Sequence, residues 1–154
     1  MERIWIYQAD RELTEGEKKH ILDKLSGFTS QWKAHGKALA AKAEIRYDRF
    51  IILMVDDGVA PPTGCSIDKS VHLLKEIETE TGLSFFDRMQ VAYRDAEGIK
   101  AVSRAEFEQL IAAGEVTDRT LVFNNLIASY PDLETAWEVP LKDSWHAKVF
   151  LIDS

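Results

Sequence analysis

The run FIILMV, Phe50 to Val55, constrains this chain more than any other stretch. Six consecutive apolar residues are far too few for a membrane-spanning helix. Rich in β-branched side chains, they predict a buried strand. The segment before it, ALAAKAEIRY (Ala38–Tyr47), is ambiguous. Alanine favours a helix, yet Leu39, Ala41, Ala43, Ile45 and Tyr47 alternate with a more polar set. Because YDR then leads directly into FIILMV, the two segments predict an antiparallel hairpin. RIWIYQ (Arg3–Gln8) reads as a further strand.

Two helices are legible beside these strands. Thr14 and Glu17 form a capping-box pattern, and Ile21, Leu25, Phe28 and Trp32 then share one helix face, with Gly27 weakening the last turn. HGK (His35–Lys37) is a break. After the loop DDGVAPPTG, the spacing of Ile67, Val71, Leu74 and Ile77 predicts a second helix from Ser66 to about Thr81, with Gly82 as its stop. Adding MQVAYR (Met89–Arg94) as a strand gives the order β-α-β-β-α-β, that of a ferredoxin-like unit. The expected class is therefore α+β. A ferredoxin-like unit covers residues 1–88, and a small α+β appendage covers 89–154. The appendage reads as a turn at Asp95–Gly98, a strand at Ile99–Val102 and a helix capped by Ser103 and Glu106 with Phe107, Leu110 and Ile111 on its face. A strand at Thr120–Ile127, a helical turn from Pro131 to Trp137 and a last strand at His146–Ile152 follow.

Nineteen basic against twenty-six acidic residues give a formal charge of -7. This argues against nucleic acid or an anionic membrane as partner, since both need a basic footprint. One cysteine cannot form an internal disulfide, and the opening residues carry no apolar run of signal-peptide length. A cytoplasmic protein is expected. Four histidines and one cysteine show no close ligand pair, so neither a metal site nor a cofactor is expected. Asp56–Asp57 reads as a solvated loop start, and KEIETETG as a solvated helix face.

APPTGCSIDKSVH (Ala60–His72) is the stretch where chemistry is expected if the chain performs any. A helix starting near Ser66 sets Cys65 beside free N–H groups and the positive end of the helix dipole, which favours a thiolate. Thr63, Gly64, Ser66, Asp68 and Ser70 would complete a small-anion site, with Lys37 as a cation. The same residues are also what any helix start prefers. His72 stands seven residues from Cys65, about 10.5 Å along a helix and too far to act as its base. His72 is instead one turn from Asp68 and able to pair with it. A base for Cys65 would come from His35 or His146, each beside a Trp and a Lys in WKAHGK and DSWHAK.

The stretch VAYRDAEGIKAVSRAEFEQLIAAGEVTDRTLVF resembles a GYF-type module: a hairpin, a capped helix, a glycine turn, then Thr-Leu-Val and an aromatic. Lys100 and Ala101 stand where such modules usually carry Gly-Pro, and Phe123 where a Trp is usual. The resemblance implies a protein-interaction role, with proline-rich segments as the ligand class. The whole chain, through FTSQWKAHGKALAAKAEIR, APPTGCSIDKSVH, FDRMQVAYRD and DSWHAKVF, also resembles a small family of uncharacterised bacterial proteins often labelled ABC transporter ATPases. No glycine here opens the G-x-x-x-x-G-K-[ST] loop which nucleotide binding of that kind needs, and Gly36-Lys37 is followed by alanine. ATPase activity is not expected. The expected function is binding of a small anion or of a protein partner; the alternative is a thiol-dependent enzyme using Cys65.

Overall fold

The computed structural model describes residues 1–87 and 90–150. Among these it is a mixed α+β chain with three antiparallel sheets and five helices. It divides into two compact units. The first is Met1–Phe86 with Ala128–Tyr130, and the second is Asp87–Ile127 with Pro131–Ser154.

The first unit contains β1 (Glu2–Gln8), α1 (Glu15–Gln31), β2 (Lys33–Ala34), β3 (Lys37–Ala38), β4 (Ala40–Arg46), β5 (Phe50–Asp56) and α2 (Gly64–Thr81). Its main sheet has the order β1-β5-β4, antiparallel throughout, with Ile4 opposite Met54 and Lys42 opposite Met54 on the other side. The central strand is the uninterrupted apolar run, for a reason visible in its burial. Ile51, Leu53 and Val55 pack on the helix side with Ile21, Leu25, Leu74, Ile77 and Trp32, while Phe50, Ile52 and Met54 are buried on the opposite side. A strand buried on both faces shows no alternation. β4 is an outer strand, and it alternates: Ala41, Ala43 and Ile45 face the core, and Lys42, Glu44 and Arg46 do not.

The break at HGK is a hairpin. β2 and β3 pair across His35 and Gly36, whose φ of 50° and 77° are those of a type I′ turn. The expected fourth strand, MQVAYR, does not complete the sheet. The open edge of β1 is already taken by Ala128–Tyr130: the Ile4 amide donates to Ala128 O (3.0 Å) and the Tyr130 amide to Glu2 O (2.9 Å).

The second unit contains β6 (Gln90–Asp95), β7 (Gly98–Ser103), α3 (Arg104–Ala112), β8 (Leu121–Phe123), α4 (Asp132–Thr135), β9 (Glu138–Pro140), a 3-10 turn (Leu141–Asp143) and α5 (His146–Val149). β6 lies in its four-stranded sheet, order β7-β6-β8-β9; Met89, expected at the start of that strand, is outside the described residues. Val91, Tyr93, Phe107, Val116, Val122 and Leu141 form the core.

Two expectations fail in this unit. The strand expected at Thr120–Ile127 ends at Phe123, because Asn124 folds its side chain onto the Leu126 amide (3.1 Å) in a local turn that competes with the ladder. The last strand expected at His146–Ile152 is helical over His146–Val149, with Leu151 and Ile152 outside the described residues. Here Ser144 Oγ accepts the His146 amide (3.2 Å) and turns the chain.

Candidate functional site

The start of α2 is where the expected site residues can be checked one by one. Thr63 caps the helix in extended conformation, and its Oγ1 accepts the Ser66 amide (3.2 Å). Ser66 Oγ accepts the Thr63 amide (2.7 Å) and donates to Thr63 O (2.8 Å). This reciprocal box satisfies helix-end donors that an anion would otherwise use. Ser70 Oγ donates to Ile67 O (2.6 Å). Ser66 and Ser70 are each only 2% exposed, so both hydroxyls face the core and not a crevice. Gly64, Cys65 and Asp68 face solvent.

A large partner explains the inward serines. Trp32 Nε1 donates to Ser66 O at 2.7 Å from a position buried with Ala34, Leu39, Val55 and Ala60. Small residues on that stripe of α2 let an indole reach the helix backbone. The signal was present in the sequence: Ser66, Ser70, Leu74 and Ile77 form a row at i, i+4, i+8, i+11. Reading only the apolar residues shifted the face by one position, onto the half-buried Ile67 and Val71.

His35 and Lys37 are exposed in the β2–β3 hairpin. Among the described residues no hydrogen bond joins Cys65 to any histidine, nor Asp68 to His72. His146 belongs to the second unit, while Cys65 belongs to the first. Among the described residues no group of His, Cys, Asp and Glu is set to hold a metal, and no helix is long and apolar enough to cross a membrane.

His146 has its own distinct environment. It is 3% exposed, and burial pushes its imidazole down to about 4, so the ring is neutral at physiological pH. Ser144 Oγ donates to Leu141 O (2.9 Å) and accepts the His146 amide, and it also lies 3.2 Å from His146 Nδ1. With the hydroxyl proton already committed, Nδ1 is the donor in that contact and Nε2 keeps the lone pair. The Trp145 ring stacks on this imidazole, centroids 3.8 Å apart and planes 23° apart. Trp145 is nonetheless 40% exposed, and Val149, one turn further along α5, is 37% exposed.

Comparison with family models, with curated proteins and with solved structures finds no match to this chain. Cys65 faces solvent in the first turn of α2, and His146 is a buried, neutral imidazole of the second unit. Trp145 presents a partly exposed indole held flat on a buried imidazole.

Proposed function

We propose that this chain is a protein-interaction module that acts by binding and not by chemistry, with its contact surface centred on Trp145. The observation that carries this reading is the stacked geometry of that side chain. A Trp free in water loses rotamer freedom when it docks; one already clamped on His146 has little left to lose. Indoles are also enriched among the residues that dominate interface energetics. The GYF-type likeness of the second unit fits this reading and names a ligand class, a proline-rich segment in extended conformation. In the first unit the order β1-β5-β4 is that of a ferredoxin-like sheet lacking its fourth strand, and we read it as the scaffold. A cytoplasmic setting suits a chain whose one cysteine stays a thiol.

The test is a titration of the uniformly 15N-labelled chain with a proline-rich peptide, following the four indole N–H signals. The Trp145 signal should move with saturating dependence, and Trp145→Ala should abolish binding while leaving the amide spectrum folded. Indole signals that stay fixed at millimolar peptide reject the reading.

A small anion at the α2 start is favoured less, since Thr63 and Ser66 spend their polar atoms on each other. The thiol-dependent alternative retains one supporting observation, the solvent-facing position of Cys65 in the first turn of α2. Native alkylation by iodoacetamide against pH separates the two readings. A midpoint well below that of a free thiol, about 8.5, supports chemistry at Cys65; an ordinary midpoint removes it.

A further inference from the structure

The two edges of the three-stranded sheet differ. The outer edge of β1 is occupied by Ala128–Tyr130. The outer edge of β4 has no backbone partner among the described residues. β4 is a regular seven-residue strand, AAKAEIR, paired to β5 in unbroken register, with no proline, glycine or bulge. Such an edge is a template for another strand unless something guards it.

Charge is the usual guard, and on β4 it is arranged in opposite signs about Ala43. Turned about a two-fold axis through Ala43, the strand meets itself in complementary order. Lys42 falls opposite Glu44 of the second copy, and Glu44 opposite its Lys42. On the core-facing side Ala41 falls opposite Ile45, and Ala43 opposite itself. Opposite charges directly across an antiparallel pair stabilise it, and like charges destabilise it. Lys42 is exposed, with Nζ 5.2 Å from the Tyr130 ring. Glu44 Oε1 is buried 3.5 Å from Arg46, too long for a strong bond, and accepts no hydrogen bond, while about a third of the side chain's surface stays open to a partner.

The helix beside this edge points the same way. His20 and Lys24 reach Glu80 on α2 (3.4 and 2.6 Å), so the opposite flank of α1 faces away from α2. On that flank Leu22, 37% exposed, lines an open groove of about 440 Å³ together with Ile45. Lys18 on its rim is already held by Glu15 and Asp48, at 2.6 and 2.7 Å. The groove is rimmed by charged residues, Glu15, Lys18, Lys19, Asp23 and Asp48, with Leu22 and Ile45 as its apolar floor next to an unpaired strand.

We propose that β4 is a self-complementary edge through which two copies of this chain pair, antiparallel about Ala43, joining two three-stranded sheets into one of six strands. The register selects a second copy over an unrelated strand: both cross-strand ion pairs arise from the same residues, as a two-fold interface requires.

Sedimentation across a range of concentrations, with charge-swapped variants, tests this. At tens of micromolar the chain should sediment at about 35 kDa, twice its 17.5 kDa. Lys42→Glu and Glu44→Lys should each raise the dissociation constant about tenfold or more. An equimolar mixture of the two variants should recover a dimer, because the acidic positions of one face the basic positions of the other. The double swap should also recover it. A chain that stays at 17.5 kDa at every concentration overturns the proposal, as does a dimer indifferent to both single variants. Should a single variant fail to fold, the unaltered chain and the double swap still decide.

Discussion

Burial holds the His146 imidazole well below its free value. Its folded value near 4 lies below the unfolded value near 6.5, so between those limits the unfolded chain binds more protons. The stability held above pH 6.5 should therefore fall as pH drops toward 4, by roughly 2–3 kcal/mol in all. Urea midpoints measured across that window should show the slope, and His146→Gln should flatten it. Trp32 supports a second expectation at this scale. Trp32→Phe removes the 2.7 Å bond to Ser66 O and leaves a buried carbonyl with less satisfaction. A loss of about 1–3 kcal/mol by urea denaturation is expected. If the midpoint does not move, the inward serines have another cause.

Among the elements, the helix starts were the most legible because their signals are local. Thr14 and Glu17 form the box their spacing predicts, with bonds of 2.9 and 3.2 Å. Thr63→Ala should cost about 1 kcal/mol, read as a lower melting temperature, because it opens the corresponding box at α2. β4 and β5 were legible too, one from alternation and one from its absence. What the sequence hid was long-range or local in an unexpected way. The β2–β3 turn uses His at a position where Asn or Gly is the usual cue. α5 replaces a strand because Ser144, and not the apolar pattern, sets the backbone there. β6 departs from the first sheet because the edge it would use is filled by residues some forty positions later. Of the candidate site, the helix start was readable, but the inward turn of Ser66 and Ser70 depends on Trp32, a residue outside that helix.

For the molecule as a whole, the decisive feature is the short return of Ala128–Tyr130 to the first unit. Residues 1–87 expressed alone lose the partners of Ile4 and Glu2. That fragment should melt below the full chain, and its Ile4 amide should exchange quickly where the full chain protects it; equal protection in both would mean the return segment adds nothing. The same feature has a consequence for synthesis. When Phe86 leaves the ribosome, the first strand still has a bare side, and the three residues that cover it have not yet emerged. Roughly forty more must be added, which at about 5–20 residues per second takes several seconds. Through that interval the nascent chain carries an uncovered β surface on which a chaperone, or a neighbouring nascent chain, can act before Ala128–Tyr130 close it.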